Sequence, residues 1–193
     1  MRNRSVALTI RLALCLALAP PLSCALAASN VPSSEPASEY NQGVDAYRAK
    51  DYAAARLHWN LATHAPDVPP EVYNNLGFLL HEGLGGDADL AGGVALWRRA
   101  AEQAVSESQM HLGYAYEDGT GVDTDPVQAY AWALCALATS LSATDQDDAE
   151  VAIRKQIYRL LEDLAIALSP GQRAVGAHLG EGYVARYSKR QAE

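Results

Sequence analysis

Residues 74–103, NNLGFLLHEGLGGDADLAGGVALWRRAAEQ, can be laid on residues 110–139, MHLGYAYEDGTGVDTDPVQAYAWALCALAT, at a constant offset of 36 with no gap. A repeat of this period removes most of the topological choice. Each copy is one supersecondary unit that cannot bury its apolar face alone, so copies must stack side by side. In this register Leu76 and Gly77 fall on Leu112 and Gly113, and Gly83 and Gly85 fall on Gly119 and Gly121. Asp89 falls on Asp125, Leu96 on Trp132, and Ala100 on Ala136. An earlier stretch, YNQGVDAYRAKDYAAARLHWNLATHAPD, carries Gly43 34 residues before Gly77, a short turn at Lys50-Asp51, and Ala55, Trp59 and Ala62 on one helical face. That makes three units.

Each unit predicts two helices. The first helices, near 37–49, 70–82 and 106–117, hold a glycine where a neighbouring helix must come close. The second helices, near 52–64, 90–103 and 126–140, each combine one tryptophan (Trp59, Trp97, Trp132) with alanines, so that large residues fill the holes left by small ones. Beyond the third unit, SATDQDDAEVAIRKQIYRLLEDLAIAL spaces Ile153, Ile157, Leu160, Leu161, Leu164 and Leu168 at helical intervals, which predicts a long amphipathic helix over 144–168. Ser169-Pro170 has the chemistry of a cap and first helical residue, and Val175, Leu179 and Tyr183 predict a last helix in spite of Gly176, Gly180 and Gly182. The two form a C-terminal helical cap over 144–187, expected to cover the open end of the array, with a disordered tail over 188–193. The fold class is all-α.

The first 27 residues read as an export signal: Arg2, Arg4 and Arg11, an apolar run from Leu12 to Ala19, then small residues suited to peptidase cleavage. The expected cut follows Ala27. Lipid attachment to Cys24 is the alternative, weakened by Pro21 where a lipoprotein signal carries an aliphatic residue. Residues 28–37 are rich in Ser, Pro and Glu and read as a disordered tether. With residues 1–27 go three of the 15 basic residues and none of the 23 acidic ones, so the formal charge moves from −8 to −11. An acidic chain of this kind lacks the basic footprint for nucleic acid or anionic membrane surfaces. No later stretch is long and apolar enough for a membrane span. The expectation is a periplasmic or secreted protein in which Cys135 is the single cysteine, unable to form an internal disulfide and surrounded by apolar neighbours.

The loop YEDGTGVDTDP (116–126) is the most suggestive place for chemistry. Asp118, Asp123 and Asp125 are hard oxygen ligands that could hold calcium. Its counterpart EGLGGDAD (82–89) argues instead for a structural corner, because glycines and a final aspartate return at the same positions. Asp125-Pro126 is suited to capping a helix and starting its first turn. No glycine-rich stretch ends in Lys-Ser or Lys-Thr, which disfavours a phosphate cradle. His58, His64, His81, His111 and His178 lack the spacing of a zinc hydrolase helix, and no serine stands in a nucleophile-elbow turn. No metal, no cofactor and no catalytic residue is expected.

Residues 96–103 (LWRRAAEQ), 108–122 (SQMHLGYAYEDGTGV) and 125–132 (DPVQAYAW) resemble the Sel-one-like repeat family, a longer-looped variant of the tetratricopeptide repeat. The resemblance gives Sel-one-like repeats over 70–104 and 106–141, with a tetratricopeptide-like unit over 38–67. Two departures stand out. Ala104 replaces the usual glycine after the middle unit's second helix, and Gly93 stands where alanine is usual, which predicts a loose start for that helix. The resemblance implies a right-handed α–α superhelix without enzymatic activity by default. It implies an adaptor or scaffold, which for exported bacterial relatives means envelope, polysaccharide-export and host-interaction settings. Its geometry lines the groove with residues three before and one, four and five after the glycine of each first helix. That selects Tyr40, Val44, Tyr47 and Arg48; then Asn74, Phe78, His81 and Glu82; then Met110, Tyr114, Glu117 and Asp118. The aromatic members suit a protein or peptide segment, or else pack between repeats. Two other classes stay open. One is a hydrolase acting on penicillin-type substrates, as in cysteine-rich relatives whose disulfides this chain cannot form. The other is a structural protein that self-assembles through the helix over 144–168.

Overall fold

The computed structural model describes residues 36–143 and 148–187, and the expected signal, most of the tether, residues 144–147 and the tail lie outside them. The described residues form helices throughout, in the order α1 (Pro36–Arg48), α2 (Tyr52–Ala62), α3 (Pro70–Glu82), α4 (Leu90–Ala101), α5 (Ser106–Asp118), α6 (Pro126–Ser142), α7 (Asp148–Ala167) and α8 (Pro170–Tyr187). Helix α1 starts at Pro36, inside the stretch expected to be a tether. The units α1–α2, α3–α4 and α5–α6 are helix pairs stacked into an α–α superhelix, each second helix also touching the first helix of the next unit.

The corners recur as the repeat demands. Gly83 and Gly119 end α3 and α5 in the left-handed region, at φ 67° and 73°. Gly85 and Gly121, at φ 78° and 76°, hold the corner against the preceding unit: a Cβ on Gly85 would collide with the Tyr52 carbonyl, and one on Gly121 with the Leu90 carbonyl. The backbone N–H of Asp89 donates to the Leu80 carbonyl at 2.8 Å, and that of Asp125 to the Tyr116 carbonyl at 2.8 Å. Each second helix is then capped by an aspartate side chain. Asp51 accepts from Ala54 N at 3.0 Å, Asp89 from Gly92 N at 2.8 Å, and Asp125 from Val127 N at 3.1 Å and Gln128 N at 3.0 Å. Asp125, one of the three carboxylates eligible as calcium ligands, is thus committed to a helix start.

The expected loose start of α4 does not occur. Asp89 caps it, and Gly93 is buried where α3 and α4 approach closely: a Cβ there would lie 2.8 Å from the Gly77 carbonyl. Ala104 adopts φ 62°, the backbone conformation that the absent glycine would supply. Lys50 does the same at φ 61° in the turn after α1, but on the surface. Lys50→Gly is therefore expected to stabilise the fold by about 1 kcal/mol, the left-handed penalty of a side chain it does not need there. A rise in the urea midpoint at unchanged slope checks this. Ala104→Gly should gain less, because it also removes a packed methyl group.

The third unit departs from the other two. Trp59 lies against Gly43, and Trp97 lies against Gly77, where a Cβ would come within 2.8 Å of the indole. Trp132 does not take the matching place at Gly113. It sits one residue out of that register and packs with Leu112 and Ala115 while stacking on Tyr183 at 4.4 Å and Tyr187 at 5.9 Å of α8. The hole at Gly113 is filled by Leu160 of α7, whose Cδ2 would be 2.7 Å from an added Cβ. Ile157, Leu160, Leu164 and Leu168 are all buried against α5 and α6. Helix α8 does not pair with α7. It packs along α6, where Gly176 and Gly180 let it reach Tyr130 and the Ala131 carbonyl.

Candidate functional site

The first helices of the three units lie side by side, so residues one helical turn apart on α1, α3 and α5 form continuous columns. Two adjoining clefts run along them. The larger, about 460 Å³, is walled by Tyr40, Val44, Tyr47 and Arg48 of α1, by Trp59, and by Asn74, Asn75 and Phe78 of α3, with Glu107 and His111 of α5 closing it. The smaller, about 220 Å³, continues past Phe78 and His111 to His81, Glu82, Trp97, Tyr114, Asp118 and Thr120. Phe78 and His111 belong to both. Tyr47 anchors the open end, its ring 5.5 Å from Tyr52 and 5.8 Å from Trp59.

The floor of the larger cleft is polar. Asn74 is only 5 % exposed, and its amide is already engaged: Nδ2 donates to Glu107 Oε2 at 2.8 Å, and Oδ1 accepts from Ser108 Oγ at 2.6 Å. Burial pushes the Glu107 carboxyl above its ordinary range, Asn74 opposes this, and nearby Glu150 adds to it. Asn74 thus serves as a clamp between α3 and α5 as well as a wall of the cleft.

The centre is a stack of rings. Trp97 lies 4.5 Å from His111 with the planes 17° apart, and 4.7 Å from His81. Burial, helped by the neighbouring His81 and opposed by Glu82, brings His111 down from 6.5 to about 4, so it is neutral near pH 7. His81 Nδ1 lies 3.0 Å from Glu82 Oε1, while its Nε2 is buried and without a hydrogen-bond partner among the described residues.

The third unit's share of the groove is reduced. Met110, expected to line it, is 2 % exposed and lies beneath Ile157 with Ala136, because α7 is laid over that end of α5. Tyr114 stays partly open, and its hydroxyl donates to the Gln156 carbonyl at 3.3 Å. Glu117, pushed upward by burial and then by Asp118 and Asp163, gives this end an acidic character. Of the twelve expected groove residues, Tyr40, Val44, Tyr47, Arg48, Asn74 and Phe78 meet in the larger cleft, and Phe78, His81, Glu82, Tyr114 and Asp118 meet in the smaller. Asn75 and His111 were missed. Both stand two residues before their unit's glycine, one heptad before the position five after it, and share its face of the helix.

Cys135 is fully buried, and burial pushes its thiol up to about 12, the opposite of an activated nucleophile. Among the described residues no group of three or more His, Cys, Asp or Glu side chains converges as metal ligands would.

The family model of the Sel1 repeat matches residues 70–105 and 106–138. None of the curated proteins compared with the chain matches it. Among solved structures, the chain is similar to c5321, described as a protective antigen present in uropathogenic Escherichia coli strains and displaying an SLR fold. The identity is 24 % and the TM-score 0.67, with 79 % of this chain aligned. The aligned region spans only 30 % of that protein's length. A Sel1 repeat protein from Oxalobacter formigenes aligns at 22 % identity and TM-score 0.49, over 79 % of this chain and 73 % of that one. Residues 70–138 thus match two Sel1 repeats, and the helical part of the chain shares the SLR fold of c5321.

Proposed function

We propose that the chain is an exported, non-catalytic interaction module of the bacterial envelope that binds a protein or peptide segment along the α1–α3–α5 groove. The observation that carries this reading is the pair of adjoining clefts with Tyr40, Tyr47, Phe78 and Tyr114 along their length. Rings held by helices offer large contact area at small entropic cost, and Arg48 at one end with Glu82, Glu117 and Asp118 at the other gives the groove a polarity that an occupant must match. The signal over 1–27 supplies the location, periplasmic or secreted, and amino-terminal sequencing of the exported protein should begin at Ala28.

The test uses two groove-lining residues that are at least partly open to solvent, Tyr47 and Phe78, the second of which also packs against the core and so calls for a check of the fold. Tyr47→Ala with Phe78→Ala is expected to lower capture of an envelope partner by about tenfold or more while circular dichroism stays unchanged. Unchanged capture by a folded double variant would remove the groove from the interaction.

A further inference from the structure

In a stacked array the last helix must present a polar outer face, or it continues to associate. Helix α7 does not meet that requirement. Its inner face is spent on α5 and α6, and α8 turns back along α6 instead of covering it. The outer face keeps Val151 at 52 %, Tyr158 at 52 % and Ile166 at 80 % exposure. With Lys155 and Glu162, also exposed, these residues fall within an arc of about 80° on the helix, along about 22 Å of its length. Arg159 and Asp163 lie further round, on the side that faces Tyr114.

The order of residues in this stripe is self-complementary. Turned antiparallel about a two-fold axis between Tyr158 and Arg159, a second α7 sets Ile166 against Val151 and Glu162 against Lys155, each contact occurring twice, with the two Tyr158 rings beside the axis. The apolar residues meet at the ends, opposite charges meet one turn inward, and the Tyr158 rings meet at the centre. A parallel arrangement sets Lys155 on Lys155 and Glu162 on Glu162, which repel. Among the described residues no ion-pair partner of either is seen within the monomer. We infer that the occupant of this face is a second copy of the chain, joined through an antiparallel α7–α7 contact on a different face from the peptide groove.

Sedimentation equilibrium on protein purified from expression of the full chain tests this from about 5 to about 200 µM, the range in which a small interface associates. A monomer–dimer equilibrium is expected. Lys155→Glu alone and Glu162→Lys alone should each weaken it about tenfold or more, since each places like charges together twice. The double exchange of both charges should restore it to within about threefold of wild type, and mixing the two single variants should yield a heterodimer stronger than either homodimer. Ile166→Arg should abolish association. All substitutions are at exposed positions, and an unchanged thermal melt confirms that each variant is folded. A wild-type monomer throughout the range overturns the inference. So does a dimer indifferent to the single charge changes, or one that the double exchange fails to restore.

Discussion

Trp97→Ala is expected to destabilise the protein by about 4 kcal/mol, near the upper end for a single core truncation. The indole is 3 % exposed and fills the space that Gly77 leaves between α3 and α4. It also lies against both His81 and His111, and packs in the cluster that includes Val94, Leu112 and Ala115. Its removal opens a cavity at the junction of the middle and third units, where the surrounding helices are fixed by their own corners and cannot collapse into it. Urea denaturation followed by circular dichroism measures the loss. A loss below about 1 kcal/mol would mean that the helices repack freely, against the close fit seen at Gly77 and Gly93. The same variant should open His111 further to water, and its pKa should then return toward the ordinary value.

The second large effect is on pH dependence. His111 is lowered to about 4 chiefly by burial, then by the charge of His81, with Glu82 opposing. Above pH 6.5 the imidazole is neutral in both the folded and unfolded chain, so it contributes no pH dependence. Between 6.5 and about 4 the unfolded chain takes up a proton that the folded chain refuses, and stability falls by about 1.4 kcal/mol per pH unit, about 3 kcal/mol in all. Below about 4 both forms are protonated and the loss stops growing. Glu107 and Glu117 act the other way: with their folded carboxyls raised, acidification through the raised range adds stability. His111→Phe keeps a ring on Trp97 and removes the titration. The stability difference between wild type and this variant should therefore shift by about 3 kcal/mol from pH 7 to pH 4, against wild type. A difference that stays constant across this range would show that His111 titrates as an exposed histidine.

What could be read from the residues alone differs from place to place for a physical reason. The corner that begins at Asp118 looked like a ligand loop until residues 82–89 were set beside it, and its glycine angles and Asp125 cap are those of the earlier corner. The columns of Tyr40, Tyr47, Phe78 and Tyr114 follow from helical spacing once the unit is known. His111 did not follow, because its role depends on Trp97 arriving from another helix at 4.5 Å. Met110 was misplaced because the same spacing that brings Tyr40 and Asn74 to the wall of the cleft in the first two units puts it under α7 in the third.

By itself, then, the sequence determined the period, the helix pairs, the glycine corners and the aspartate caps. Each is a local requirement stated two or three times over, so one copy reads the next. The tertiary structure alone decided what happens where the copies stop. A one-residue shift sent Trp132 toward α8 and left Ala133 beside Gly113, and Leu160 took the space. Helices α7 and α8 have no earlier copy to be compared with, and their positions were settled by which side chain fills which hole in the third unit.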